Sequence, residues 1–510
     1  MPVPRISKFR NVHGTILKDD VFTGIQTAST AWDGKLSCVN SRWISFIMTS
    51  IGAGAVCVLP VNNPHKVDVN PPTIRGHSRA VLDVAFSPFD ENVLATAGDD
   101  GVVRVWNIPE DGFEGLTSED AVTSFQHDKK VGVLAWHPVA KNILASAGND
   151  GVRIWNLDDS SLVAHHQTSD LVNSLSFNFN GSRLAFSSKD KNMYIIDSRS
   201  GDLVAQTQAH SGVKPFKAIW CSNPEKELDV IVTLGFGRPV GREIKVWNPS
   251  SVAEPLAVVA LDQASSLFLP AYDPDTSMLF FTGKGEGLIR YYEVLNDTPY
   301  VRPLNEFASN VPARGFCSLA KPHLNMEKNE IFRAYKITDK TIDPISFMVP
   351  RRAPGMDRDI FPATFAGKPA LTAAEWVSGT DANPIMIELD ENGLTGQAVE
   401  VKEAPVVVPT EPKEEPKEEP KDEVKQEEPV VEEKKEVVNT NEALFDSDSD
   451  CDEEELQKVE EKEDMKSEEV TTPIVEEEKI SLSDVKQLIE EATTPLKEKI
   501  ELLEEKIFSL

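Results

Sequence analysis

The chain has 510 residues, 83 acidic against 52 basic side chains, and a formal net charge of −31. The acidity is local: residues 401–479 carry 30 acidic and 11 basic side chains and residues 480–510 carry 7 and 4, leaving about −9 for the first 400. That balance argues against a nucleic-acid binder, which needs net positive charge to displace counterions from phosphates.

Cys38, Cys57, Cys221, Cys317 and Cys451 are scattered and odd in number, with no C-x-x-C pair. Neither a disulfide framework nor a metal site is expected, and buried reduced thiols fit a cytoplasmic protein. The N-terminus, Met1-Pro2-Val3-Pro4-Arg5, lacks the apolar core of a signal peptide. The uncharged run Trp43–Val61 approaches the length of a membrane span, but its Gly, Ser, Thr and Pro content reads better as two buried strands, Trp43–Thr49 and Ala55–Leu59. No transmembrane segment is expected.

An internal repeat organises the first 350 residues. Leu94-Ala-Thr-Ala-Gly-Asp-Asp-Gly-Val-Val-Arg-Val-Trp106-Asn107 returns as Leu144-Ala-Ser-Ala-Gly-Asn-Asp-Gly-Val-Arg-Ile-Trp155-Asn156. Weaker copies end at Tyr194-Ile195-Ile196-Asp197, Ile244-Lys245-Val246-Trp247-Asn248 and Leu288-Ile289-Arg290-Tyr291-Tyr292-Glu293. β-Branched residues alternate with small or polar ones between Gly/Asp/Asn turns, the pattern of antiparallel strands.

A unit of this length with Gly76-His77 near its start and Trp106-Asn107 near its end resembles the WD repeat, one four-stranded propeller blade. The resemblance implies a buried network of His77, Thr96, Asp100 and Trp106, repeated by His127, Ser146, Asp150 and Trp155. Histidine, hydroxyl and carboxylate together invite a hydrolase reading, but recurrence from unit to unit points to structure, and no enzyme is expected. Seven units follow, near 10–60, 73–107, 122–156, 166–197, 207–248, 262–293 and 300–350. The expected fold is all-β, a seven-bladed β-propeller over 1–350, with a C-terminal extension packed on it over 351–395.

Two Gly-rich stretches fail as cofactor motifs. Gly283-Lys284-Gly285-Glu286-Gly287 lacks phosphate-loop spacing and occupies an inter-strand turn, and Gly52-Ala53-Gly54 has no third glycine or following helix. No cofactor is expected.

Other motifs go beyond a generic repeat and resemble the coronin family of actin-binding propellers. They are Ser7-Lys8-Phe9-Arg10-Asn11-Val12-His13-Gly14, then Ala135-Trp136-His137-Pro138-Val139-Ala140, then Leu269-Pro270-Ala271-Tyr272-Asp273-Pro274-Asp275-Thr276. Beyond the repeats come Val349-Pro350-Arg351-Arg352, Asp359-Ile360-Phe361-Pro362 and Glu375-Trp376-Val377-Ser378-Gly379. The resemblance implies a regulator that binds filamentous actin through the propeller, at the cell cortex, and self-associates through its tail. The family often carries Arg where this chain has Gln26, which puts the usual contact in doubt. The remaining candidates near the first blade are Lys8, Arg10, Lys18, Lys35 and Arg42. The alternative is a propeller adaptor for another assembly, a vesicle coat or a ubiquitin ligase, without actin binding.

Residues 396–479 are rich in Pro, Glu and Lys, as in Glu411-Pro-Lys-Glu-Glu-Pro-Lys-Glu-Glu-Pro420, too polar to offset chain entropy, and read as an acidic disordered linker. It is either a spacer or a ligand for basic surfaces such as the actin-related-protein complex that nucleates branches. Within it, Ser447 and Ser449 stand three residues before Asp450 and Asp452, which suits an acidophilic kinase.

Helix signals return over 480–510. Leu496, Ile500, Leu503, Ile507 and Leu510 alternate spacings of four and three, a two-heptad coiled-coil seam. Lys499-Ile500-Glu501-Leu502-Leu503-Glu504 resembles a trimerisation motif, with Lys499 where Arg is usual to pair with Glu504. Ile at one seam position and Leu at the other leans toward a dimer. A homo-oligomer is expected, a trimer before a dimer or tetramer.

Overall fold

Alternating Val/Ile/Leu/Ala runs closed by Asp-Gly and Asn-Asp turns form the strands, in a computed structural model that describes residues 7–28, 34–49, 54–110, 114–239, 241–352, 355–390 and 393–399. The strands build a seven-bladed propeller. Blade 1 contains Ser37–Val39, Trp43–Met48, Gly54–Pro60 and Thr73–His77, with Gly115–Thr117 added parallel at its outer edge. Blades 2 and 3 start at the inner strands Val81–Phe86 and Val131–Trp136, and blades 4 to 6 at Val172–Phe177, Lys217–Asn223 and Phe268–Asp273. Blade 7 joins Gly315–Leu319, Glu330–Ile337 and Thr341–Met348 to the N-terminal strand His13–Ile16.

Each inner strand touches the next and the seventh touches the first, so the ring is closed. His13 pairs with Met348 and Ile16 with Ile345, stitching the two ends of the ring together. The uncharged run Trp43–Val61 is the central hairpin of blade 1, and its strands are buried on both faces.

The sheets are offset from the repeats read in the sequence by one strand. Thr73–His77 carries Gly76-His77, the start of the second repeat, yet it is the outer strand of blade 1. Likewise Thr123–Gln126 closes blade 2, and His13–Ile16 belongs to blade 7 and not to the first unit. Repeat and blade differ because each unit contributes its first strand to the preceding sheet, so every junction is crossed by covalent chain.

Antiparallel strands alternate direction, so successive connections emerge on opposite faces of the ring. One face carries the first-to-second and third-to-fourth strand connections, and residues after Val349 run across it. Leu371 and Ala370 donate backbone N–H groups to Val139 O, and Thr364 Oγ1 donates to Asp275 Oδ2 at 2.6 Å. Phe365 meets Phe89 edge-on at 5.9 Å. The short helix Ala373–Val377 opens with a Thr372/Glu375 capping box and buries Trp376 completely. A three-stranded sheet of Thr364–Phe365, Met386–Asp390 and Gly393–Val399 completes this covering layer. The opposite face, with the inter-blade connections, has no such layer among the described residues.

The C-terminal seam, Lys499, Glu504, Ser447 and Ser449 lie outside the described residues. Cys38, Cys57, Cys221 and Cys317 are free and buried.

Candidate functional site

The buried quartets are the most regular polar feature. Trp106 Nε1–H donates to Thr96 Oγ1 at 2.9 Å, and that hydroxyl lies 2.7 Å from His77 Nε2. The ionised Asp100 carboxylate only accepts, so Nδ1–H donates to its Oδ1 at 2.9 Å, and in the neutral ring Nε2 then accepts from the Thr96 hydroxyl. Trp155, Ser146, His127 and Asp150 repeat the chain at 2.8, 2.7 and 2.9 Å. Burial and the Asp150 partner oppose one another at His127, and burial wins, lowering its pKa. At Asp100 burial works against the charge, but the hydrogen bonds from His77 and the Ser78 and Val102 amides outweigh it and hold the carboxyl at about 2.

Each quartet joins two blades: His77 and His127 come from or directly after the outer strand of one sheet, the other three residues from the next. Gly98 stands beside the first quartet because a Cβ there would come within 2.6 Å of His77 Nδ1 and Asp100 Oδ1.

A third quartet escaped the sequence reading. His210 Nε2 lies 2.9 Å from Thr233 Oγ1, its Nδ1 is 2.9 Å from Glu243 Oε1, and Trp247 Nε1 donates to Thr233 at 2.9 Å. Ala209-His210 replaces Gly-His, and the acid comes from the third strand of an extended hairpin instead of the turn. The signals available were Trp247-Asn248 and a histidine upstream. Blade 4 has no quartet: Tyr194 OH donates to Asp190 Oδ2 at 2.5 Å, and Ser187 Oγ to Phe216 O at 2.8 Å.

The six candidate contact residues do not converge. Lys8 and Arg10 are exposed on the covered face, where Lys8 Nζ donates to Asp359 O at 3.1 Å. Arg42, on the same face, pairs with Glu110 at 2.7 Å and lies over the Trp43 ring. Lys18 sits on the outer edge of blade 7 in the turn Lys18–Asp20. Gln26 is exposed on the open face, in the connection entering blade 1. Lys35 is not a solvated surface residue: it lines the mouth of the axial channel on that face.

That mouth is a cavity of about 390 Å³ framed by Lys35, Lys130, Lys189 and Lys217, with Asp83 and Asn173. Burial disfavours charge on Lys35, but Asp83 together with Cys38 and Cys317 outweighs this and raises its pKa. Lys217 Nζ donates to Asn173 O at 2.7 Å. The other end of the channel is apolar, lined by Phe86, Trp136, Phe177 and Tyr272 with Phe365, Pro384 and Met386 of the covering layer. Among the described residues there is no cluster of His, Cys, Asp and Glu fit for a metal, and no helix long and apolar enough to cross a membrane.

Family models match four segments: a domain of unknown function over residues 2–66, a WD domain G-beta repeat over 70–107, the WD40 domain of anaphase-promoting complex subunit 4 over 152–223, and a type of WD40 repeat over 342–384. The chain is 38% identical to Coronin-A of Dictyostelium discoideum over 79% of its own length and 90% of that protein. The chain belongs to the coronin family. A coronin-like protein of Schizosaccharomyces pombe is 34% identical over 76% of this coronin and 64% of its own longer chain. The crystal structure of the WD40 domain of Toxoplasma gondii coronin matches with a TM-score of 0.71 and 27% identity, covering 75% of this chain and 98% of that one. As a coronin, the protein is a regulator of the actin cytoskeleton.

Proposed function

We propose that this coronin binds actin filaments through the open face of its propeller and gains avidity by self-association through the seam Leu496–Leu510. The observation that carries the reading is the asymmetry of the faces. The covering layer occupies one, whereas the other presents exposed Arg79, Lys129, Lys189, Lys214, Arg238 and Lys340. Several ion pairs temper this charge, among them Arg79–Asp99 at 3.6 Å and Arg314–Asp339 at 2.6 Å. The basic excess suits an acidic filament surface and gives steering that salt weakens. The protein acts as a binding platform at the actin-rich cortex and performs no chemistry of its own. Its acidic segment is a ligand for basic surfaces of the branched-actin nucleation complex.

Linking weak sites raises apparent affinity by roughly 10²–10⁴ when geometry allows simultaneous engagement. Co-sedimentation with filamentous actin therefore compares the full chain with one ending at residue 479. Pelleting by the full chain, weak pelleting by the shorter one, and loss on combining Lys189→Glu with Lys214→Glu are expected. Gln26, exposed where the family often has Arg, favours the adaptor reading; absence of pelleting by either chain would establish it.

A further inference from the structure

The lysine-framed mouth of the axial channel takes no part in the blade-junction quartets, and only closure of the ring assembles it. Lys35 comes from the chain entering blade 1, Asp83 from blade 2, Lys130 from the connection into blade 3, Asn173 and Lys189 from blade 4, and Lys217 from blade 5. Four lysines and one carboxylate thus line a cavity of about 390 Å³, a size that suits a small ligand.

Asp83 is the unusual group. It is 4% exposed, its Oδ2 accepts the Leu134 N–H at 2.9 Å, and its Oδ1 has no hydrogen-bond partner among the described residues. The fold asks for less at this position. The inner strands of blades 2, 3 and 4 share a β-bulge, which makes Asp83 opposite Ala97, Val133 opposite Ala147 and Ser174 opposite Ser187 equivalent. Ser174 takes the equivalent inter-blade N–H, that of Ala218, at 2.9 Å with a single hydroxyl oxygen. Asp83 brings a second oxygen and a charge that this task does not use, and a buried acceptor left unmatched is destabilising. The lysines call for an anion, and Asp83 Oδ1 calls for a donor on that same anion.

Hydrogen phosphate meets both demands, because near neutral pH it keeps a P–OH beside its charged oxygens. Sulfate has the same shape but no proton. Burial pushes the Asp83 pKa up, with Lys35 foremost in opposing it, so one proton held between carboxylate and oxyanion suits the pair. Phosphate carries that proton in, whereas sulfate must draw it from solvent, at a cost that grows with pH.

We propose that the channel mouth is a phosphate-binding site, in which the lysines hold the anionic oxygens and Asp83 Oδ1 accepts the ligand's own O–H. The cavity takes free phosphate, or a small polyol phosphate whose carbon-borne hydroxyl makes the same contact. The site does not depend on the open-face reading of actin binding, and its test involves no actin.

The test is calorimetric titration of the full chain at pH 8 and constant ionic strength, with inorganic phosphate, sulfate and glycerol 3-phosphate as ligands. Phosphate is expected to bind roughly tenfold or more tightly than sulfate, since a site built to pair with a ligand O–H rejects the analogue lacking it. Asp83→Asn keeps an acceptor for the Leu134 N–H and offers the cavity an amide donor, so the preference should fall to within about twofold. Lys189→Gln, on an exposed turn, should weaken both anions alike, by about threefold. Melting curves without ligand control for the fold of both variants. In the parent chain, phosphate at a concentration where sulfate has no effect should protect Lys35 and Lys189 from acetylation, as read by peptide mapping. Tighter binding of glycerol 3-phosphate than of phosphate places the O–H on a polyol carrier, and the reverse places it on phosphorus. Sulfate bound as tightly as phosphate, a preference unchanged in a folded Asp83→Asn, or protection of neither lysine would overturn the proposal. So would the absence of binding by both phosphates at about 10 mM, a concentration that reveals even a millimolar site.

Discussion

The two faces of the ring are built from the same strands and differ in everything attached to them. On the covered face, Trp376 is sealed between His137, at 4.7 Å between ring centroids, and the Arg199 guanidinium, at 5.1 Å. Arg199 also donates to Trp376 O and Thr380 O at 2.7 and 2.6 Å. His137 spends both ring nitrogens inside this layer, Nδ1 accepting from Ala140 N–H at 2.8 Å and Nε2 donating to Gly181 O at 3.2 Å, and burial lowers its pKa to about 3. On the open face the polar contacts belong to the blade junctions, and the channel ends in lysines. A propeller ladder fixes where strands lie but leaves the connections chemically free, so one ring presents a sealed end and an accessible one.

The largest expected effect breaks the covered side. Trp376→Ala removes a fully buried indole and should cost about 3–5 kcal/mol. Limited proteolysis is expected to cut first within 355–399, while actin pelleting at low temperature stays intact. Equal protection of that region in both proteins would show that the layer holds without its anchor.

Next comes a blade junction. His127→Ala removes the ring that links Ser146 to Asp150 and should cost about 2–3 kcal/mol in urea unfolding, because the buried Ser146 hydroxyl loses its acceptor and Asp150 loses one of its donors. His13→Ala, at an exposed strand position, should stay within about 0.5 kcal/mol. If the two substitutions matched, the quartets would not be clamps.

The smallest effects sharpen the comparison through pH, since the faces titrate in opposite senses. Asp100, held at about 2 against an ordinary 3.8, adds stability above about pH 4 that is lost as pH falls toward 2. Asp275, beneath the covering layer, is pushed up to about 7 by burial and then by the nearby Asp273 charge, with Lys321 opposing. Its folded form prefers the proton, so the stability it contributes is complete below about pH 4 and declines as pH rises through 7. Asp275→Asn keeps an acceptor for Thr364 and removes that decline. The variant's melting temperature should gain on the parent by on the order of 2 °C between pH 5 and 8, whereas Asp100→Asn should flatten the acid limb. A gain for Asp275→Asn independent of pH would mean that the carboxyl titrates normally.

How much could be read in advance follows from how local each feature is. Two quartets, seven units and the family motifs were legible because spacing along the chain reports strands and turns directly. The His210 quartet was hidden because Glu243 replaces the turn Asp and the long hairpin Leu228–Gly237 and Gly241–Trp247 changes the spacing. Lys35 looked like a surface cation because no local pattern says that it faces a channel assembled from six other blades.

The sequence by itself determined a ring of small antiparallel sheets and its kinship, since strand alternation and turn chemistry are written within a few residues of one another. Only the tertiary structure decided which sheet each repeat's first strand joins, which face residues 355–399 cover, and where the lysines meet. Those outcomes depend on contacts such as Ala140 with Leu371 and His13 with Met348, between residues hundreds of positions apart. No local period encodes such pairings; the closure of the ring does.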